Sequence, residues 1–369
     1  MAILIQAYQA TDDDGAKALC RIPVSGNIVL SLEREPNYYA GAYLQCEEPA
    51  VYVCRDTETG RVCGLFNVGW RRVYVNGQVQ RQQYFSDLRI DPDYQKSRLF
   101  FQIIRYAMNA GLIPKGETVA ATIVFTDNTL MQTMIQKRQG NSRFPAYHKA
   151  GDYTTQIISL AARRNPFKLP PQYFVRKASV QDIPMMQAFA DTEAPSKQAY
   201  PYYNYADLGK AYYAGLKIEN YYLAFEKERL VGICAVWQQK AIKQTRIMGY
   251  SRLYALARPI ANIWARLRGN ITLPTEGSLL NYFYVHNVLV AQNEPFIFSA
   301  LLHALYHDYR RGAFAYFMVG LFSDDALMTV FKTVKNKRTV GGTFYWVNDG
   351  LSPEAFLDGR QTYVEIGRI

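Results

Sequence analysis

Long hydrophobic runs are missing from this chain. The longest uninterrupted apolar stretch, residues 313–322, is ten residues, about half of what a membrane-spanning helix needs. No spanning segment is expected. The opening MAILIQAYQATDDDG has neither a basic leader nor a small-residue cleavage site, so a cytoplasmic location is expected. Cysteine is scarce: Cys20, Cys46, Cys54, Cys63 and Cys234 are odd in number and form no Cys-x-x-Cys pair. That pattern argues against a disulfide framework or a zinc ribbon and leaves reduced thiols serving as small hydrophobes. There is no GxxxxGK[ST] loop, no strand-linked GxGxxG, no GxSxG elbow and no Cys/His nucleophile signature, which removes support for nucleotide and serine hydrolysis. His303 and His307 share a helix face, but the HExxH glutamate is absent and no third ligand is near in sequence. No metal is expected. His286, in NYFYVHNVL, reads as a satisfied buried histidine rather than a base.

Acid is also missing locally. Residues 229–275 contain no Asp or Glu but eight basic residues: Arg229, Lys240, Lys243, Arg246, Arg252, Arg258, Arg266 and Arg268. Within them Leu253, Leu256, Ala257, Ile260, Ile263, Trp264 and Leu267 recur at helical spacing, with Arg252, Ala255, Asn262 and Arg266 on the other side. A basic amphipathic helix bent at Pro259 is expected. Its first reading is an insertion whose apolar stripe packs on its own domain. Its alternative is docking on anionic lipid, on a partner, or on an anionic acceptor such as RNA.

What is present is enough apolar material for large cores. Of 369 residues, 49% are hydrophobic and 20% charged, with a net charge of +11, so a disordered polyampholyte is excluded and two domains of ordinary size fit the length. Residues 161–172, AARRNPFKLPPQ, have no hydrophobic period and read as a linker. In the first half, β-branched and aromatic residues at 51–54, 62–75 and 80–90, with Asn76-Gly77 between the last two, predict antiparallel hairpins. A helix from Leu99 to Gly111, a strand at 118–125, a helix from Asp127 to about Lys137 and a strand at 153–160 follow. The second half repeats the order: a strand at 174–177, helices at 182–190 and 208–216, a hairpin at 221–237, a β-rich run at 279–290 and a helix opened by Pro295. A strand at 314–321, a helix capped by Ser323 to about Val334, and late strands at 343–347 and 362–366 complete it.

At 87–107 the chain reads DLRIDPDYQKSRLFFQIIRYA. This segment resembles the cofactor-binding segment of the GNAT superfamily of acyl-CoA-dependent N-acyltransferases, in which a strand ending in x-Pro leads to a Q/R-x-x-G-x-G/A loop and a helix. Leu88, Ile90 and Pro92 fit the strand end, Gln95 the first loop position, and Leu99 onward the helix. The element order of both halves extends the likeness over nearly the whole chain. The resemblance implies an α/β (α+β) protein of two tandem GNAT-like domains, each a mixed, mostly antiparallel sheet flanked by helices. Residues 1–165 would carry the acyl-CoA site, and residues 173–369 would form the second domain, with the basic insertion around 240–275.

The implied activity is N-acyl transfer, with acetyl-CoA or another acyl-CoA as donor and a small-molecule or peptide amine as acceptor. The implied cofactor-binding residues are Leu88, Arg89, Ile90, Gln95, Lys96, Ser97, Arg98, Leu99 and Phe100. Backbone groups at 88–90 would polarise the thioester carbonyl, and Lys96, Ser97 and Arg98 would meet the phosphates. The family's glycines let backbone amides approach the pyrophosphate, and Arg98 and Phe100 stand in their places, so guanidinium contacts replace amide contacts or the cradle is lost. Where the family often places a proton-donating tyrosine, this chain has Ile135 and Phe331. A base would have to come from Asp87 or Tyr84, Asp87 having Arg89 or Arg81 as competing ion-pair partners. Two other readings share the fold: a Fem-type transferase using aminoacyl-tRNA, which would suit the missing glycines and the positive insertion, and a non-catalytic GNAT-fold binding protein. An anionic partner, tRNA or a membrane surface, stays the alternative reading of the insertion.

Overall fold

The chain begins with β1 (Ile3–Ala7), α1 (Asp13–Arg21), β2 (Ile28–Arg34) and α2 (Tyr38–Gln45), whose N-cap Asn37 accepts from the Ala40 amide. A meander follows: β3 (Val51–Asp56), β4 (Val62–Val75) and β5 (Gln78–Ile90). Asn76 and Gly77 have φ of 50° and 77° and close the β4–β5 hairpin between Val75 and Gln78, as a two-residue type I′ turn requires. Next come α3 (Leu99–Asn109), which buries Leu99, Ile103, Ile104 and Ala107, then β6 (Ala120–Phe125), α4 (Thr129–Arg138) and β7 (Ala146–Ser159). The structure, a computed structural model, describes all 369 residues except Met1, Ser25, Lys96, Ser97, Gln139, Ser142 and Asn336.

The second half opens with β8 (Tyr173–Lys177), α5 (Ile183–Glu193) and the short β9 (Lys197–Gln198). The helix expected over 208–216 is replaced by 3₁₀ turns at Tyr205–Asp207 and Ala211–Tyr213, where Tyr205, Tyr212 and Tyr213 are all buried. Aromatic packing holds this segment where local helical periodicity alone would have coiled it. The hairpin of β10 (Tyr221–Glu226) and β11 (Arg229–Trp237) leads to β12 (Lys243–Tyr250) and α6 (Arg252–Arg268). Then come β13 (Tyr282–Val290), α7 (Pro295–Tyr309), β14 (Tyr316–Phe322), β15 (Lys337–Asn348) and β16 (Gln361–Thr362). Where a helix capped by Ser323 was expected, Asp325 accepts from the Leu327 amide and starts a 3₁₀ helix, Ala326–Phe331.

Twelve strands form one sheet in the order β1-β3-β4-β5-β6-β15-β7-β14-β13-β11-β10-β8. Each half supplies a meander and a parallel pair, β5–β6 in the first and β13–β14 in the second. The last long strand of each half is then exchanged: β15 pairs with β6, and β7 pairs with β14, while β7 and β15 pair with each other along twelve residues at the centre. A two-stranded ribbon of β2 with β12 adds a second tie between the halves. Residues 161–172 carry no helix or strand, yet they are docked. Phe167 is buried against Tyr306, Phe317 and Phe331, and the Lys168 backbone exchanges hydrogen bonds with Ser299 Oγ.

The largest core packs α7, through Ile297, Phe298, Leu301, Leu302 and Leu305, against β10, β11 and β13. Each such side chain contributes about 1.5–3 kcal/mol on burial. All five cysteines are buried and form no disulfide.

Candidate functional site

In the first half β5 and β6 are in parallel register only at Tyr84–Ala121 and Phe85–Thr122. Immediately beyond, Asp87 adopts φ 52° and the pairing with β4 slips between Leu65 and Asn67. This is a β-bulge, which turns backbone groups out of the ladder. The strand then runs through Leu88, Arg89 and Ile90 to the turn Pro92–Tyr94, capped by Asp91, and on into α3. A bulge, a divergence of two parallel strands and a helix N-terminus therefore follow one another within some twenty residues of chain. A cleft of about 390 Å³ opens on α1 beside Gly15, Leu19, Arg61 and Val62, and none of its lining residues comes from β6.

Asp87 is the hub of a charged cluster drawn from four places in the sequence. Arg34 Nη2 stands 3.5 Å from both of its carboxylate oxygens, Arg89 Nη2 lies 3.8 Å from Oδ1, and the Tyr38 hydroxyl donates to Oδ2 at 3.2 Å. Burial alone would raise the Asp87 pKa, but Arg34, Arg89 and Lys243, with the Tyr38 bond, outweigh it and hold the carboxyl below its usual range. Lys243 pairs in register with Arg34 and donates to the backbone oxygen of Ile369. Burial and the neighbouring Arg34, Arg89 and Arg368 push its ammonium down to about 7, against the opposing pull of Asp87. Among the described residues, Arg34 Nε and Arg89 Nε are buried without a hydrogen-bond partner. Nothing local in the sequence links Arg34 and Tyr38 to Asp87 and Lys243, because their only common feature is spatial. The acid-free stretch around Lys243 was the one available signal.

Of the residues expected to act, Tyr84 is 1% exposed, in the core with Tyr153, Phe344 and Trp346 and with the Arg71 guanidinium 3.9 Å over its ring. Burial raises its pKa far from neutrality. Leu88 is exposed, Arg89 and Ile90 are half-buried, Gln95 and Arg98 are exposed, Leu99 is buried and Phe100 is half-buried. Arg98 is the N-cap residue of α3. Lys96 and Ser97 lie outside the described residues. Ile135 and Phe331 are buried apolar side chains. Neither Arg89 nor Arg81 is the closest cation to Asp87: Arg34 is, and Arg81 pairs with Glu48.

The second half repeats the arrangement and fills it. β13 and β14 are in register only over Tyr282–Tyr316 to Tyr284–Met318, and Asn287 has φ 54° at a slip against β11. Here the turned-out amides are capped by the chain itself. Asn287 N donates to Glu365 Oε2 at 2.8 Å and Val288 N to the Tyr363 hydroxyl at 3.2 Å. Ile366 lies against Gly320 of β14 so closely that a Cβ there would sit 2.1 Å from Ile366 Cγ2. Arg368, fully buried, donates to the Leu44 and Tyr212 carbonyls at 2.9 Å each and locks the segment to both halves. His286 is buried with Nδ1 3.1 Å from Glu365 Oε2, without the alignment of a full hydrogen bond, and burial lowers its pKa. Among the described residues no side chain accepts from the amides of Asp87 or Leu88 in the first half.

A GCN5-related N-acetyltransferase from Sphaerobacter thermophilus superposes with a TM-score of 0.55 at 10% identity, covering 93% of this chain and 95% of that one. Another, from Anabaena variabilis ATCC 29413, gives 0.50 at 10% identity over 94% and 72%. The fold is thus that of the GCN5-related N-acetyltransferases, a mixed α/β fold with a large, mostly antiparallel sheet flanked by helices. No family model matches the sequence, and no curated protein matches it either.

Proposed function

We propose that this chain is an N-acyltransferase taking its acyl group from an acyl-CoA, acetyl-CoA in the first instance, with the donor site at the divergence of β5 and β6. One observation carries the choice of cleft: the bulge amides of the second half are capped by Glu365 and Tyr363, whereas Asp87 and Leu88 meet no such side chain. On this reading residues 1–165 hold the donor, and residues 173–369 contribute a filled pseudo-site and part of the charged cluster.

The residues present suit the donor chemically. The α3 N-terminus offers amides and the positive end of its dipole to a pyrophosphate. Arg98, exposed at its cap, supplies the charge that the missing glycine amides would have provided. When bound, the thioester supplies an acyl group activated toward amines. The chain's own part is to orient that carbonyl at the bulge amides of 87–90 and to take a proton from the incoming ammonium. Asp87, held ionised by Arg34 and Arg89, is a weak base and keeps the bulge in shape. Lys243, with a pKa of about 7, is better matched to accept a proton near neutrality. The cluster holds more cations than anions, and two guanidinium nitrogens lack partners, which favours an acceptor amine that also carries an anionic group.

Calorimetric titration with acetyl-CoA tests this reading. One site per chain is expected. Arg98→Ala should weaken binding by about 1–3 kcal/mol, the range for lost charged hydrogen bonds. No binding, two equal sites, or an unchanged affinity in the variant would refute the assignment. Release of CoA thiol with amino acids against simple alkyl amines then tests the acceptor class.

A further inference from the structure

Helix α6 is mounted the wrong way round for a soluble surface helix. It has seventeen residues and none is buried, giving a rod about 25 Å long at 1.5 Å per residue. Leu253, Leu256, Ile260, Ile263, Trp264 and Leu267 are 80%, 79%, 64%, 59%, 55% and 73% exposed. At about 100° per residue these side chains form one stripe, and ordinary folding would have buried it. The expectation that it packs on its own domain is overturned.

The opposite, polar face is the one tied down. Arg258 Nη1 donates to the Pro274 carbonyl at 2.9 Å. Asn262 clamps Leu273 through two backbone bonds, of 2.9 and 2.7 Å. The helix ends are pinned as well: Ser251 N donates to Asn27 O, and Ser159 Oγ donates to the Gly269 carbonyl at 3.0 Å. Several specific bonds thus fix the apolar stripe outward.

The stripe is bordered by cations on both sides. The same angular projection puts Arg252 and Arg266 along one border and Arg268 along the other, with the Arg268 guanidinium 5.3 Å from the Trp264 ring centre. Among the described residues no ion pair involves Arg252 or Arg266, and no acid occurs from 229 to 275. Beside the helix in sequence, Met248 is also 45% exposed. A protein groove would demand a particular shape and its own acidic rim. A convex single helix with an aliphatic crest, an indole and arginines on both shoulders matches a fluid surface whose interior is apolar and whose rim is phosphate. No helix of the described residues is long and apolar enough to cross a membrane, so the geometry is that of lying on a bilayer.

We propose that α6 is a membrane-docking helix: its stripe enters the acyl boundary of an anionic phospholipid bilayer while Arg252, Arg266 and Arg268 reach the lipid phosphates. The inference is independent of the acyltransferase reading.

The test uses the full chain with vesicles of phosphatidylcholine alone and of phosphatidylcholine mixed equally with phosphatidylglycerol, scored by flotation and by Trp264 fluorescence. The other tryptophans, Trp70, Trp237 and Trp346, are half-buried or buried, so a blue shift that vanishes in Trp264→Phe reports this helix. Wild type should float with the mixed vesicles, and more weakly as salt rises. Leu256→Ser/Ile260→Ser/Ile263→Ser should lose at least tenfold in partitioning. Arg252→Gln/Arg266→Gln/Arg268→Gln should lose the preference for the anionic vesicles. All six positions are exposed, so an unchanged thermal midpoint will show that both variants fold. Failure of wild type to bind the mixed vesicles overturns the proposal. So does a self-association in sedimentation that the serine variant abolishes while flotation is absent, because a second copy would then be the cover. Binding of RNA that depends on the arginines without any vesicle binding overturns it likewise.

Discussion

Replacing Lys243 by Met should change how stability depends on pH in a way that follows from the cluster around Asp87. The folded-state pKa of Lys243 is about 7, against about 10.4 for an unfolded lysine. Below pH 7 both states hold the proton and the group contributes no slope. Between 7 and about 10 the unfolded state keeps a proton that the folded state has released, so unfolding free energy rises with pH at up to about 1.4 kcal/mol per unit. The buried thiols act in the opposite sense. Burial pushes Cys63 to about 11 and Cys46 to about 12, so above pH 8 unfolding is favoured by their ionisation in the unfolded chain. The useful quantity is therefore the difference between wild type and Lys243→Met, in which the thiols cancel. Urea unfolding at pH 6, 7, 8 and 9 should show the Met variant losing about 2–3 kcal/mol of relative stability between pH 7 and 9. At pH 6 the variant should be at its best relative to wild type, since it no longer buries an ammonium among arginines. Parallel pH curves would mean that Lys243 titrates normally, and would remove it as a candidate base.

Cleavage of the 161–168 segment should give two bands on a denaturing gel but one species on native gel filtration, because β7 is held between β14 and β15; separation of the halves would refute the strand exchange. Gly320→Ala should cost about 1–3 kcal/mol by overpacking against Ile366, and Ile366→Ala in the same chain should recover most of it in a double-mutant cycle. Glu365→Ala should destabilise by about 3–5 kcal/mol, the range for breaking a buried charged network, with the Asn287 amide orphaned; a loss below 1 kcal/mol would show that the segment does not cap the second bulge. Wild type itself should lose stability as pH falls through the depressed pKa values of Asp87 and Glu365, since both carboxylates are ionised in the folded state at pH values where the unfolded chain is already protonating.

Local chemistry made much of this protein legible. The β-branched and aromatic residues of β4 and β5, the Asn76-Gly77 turn between them, the 3.6-residue period of α3 and the Pro295 start of α7 are each decided within a dozen residues, so the sequence by itself determined them. The same holds for the reduced thiols and for the resemblance carried by residues 87–107. Partner choice is different. That β15 lies between β6 and β7 depends on hydrogen-bonding edges brought together from some two hundred residues apart, and strand pattern alone is equally satisfied by an unexchanged sheet. The cluster at Asp87 needs Arg34, Tyr38 and Lys243 to converge on it, and the capping of the second bulge needs Glu365 to reach Asn287. Orientation of α6 is the clearest case. Its periodicity determined that one face is apolar and one basic, but bonds from Arg258 and Asn262 to Pro274 and Leu273 decided which face points out. A helical period carries no information about the direction of the body it sits on.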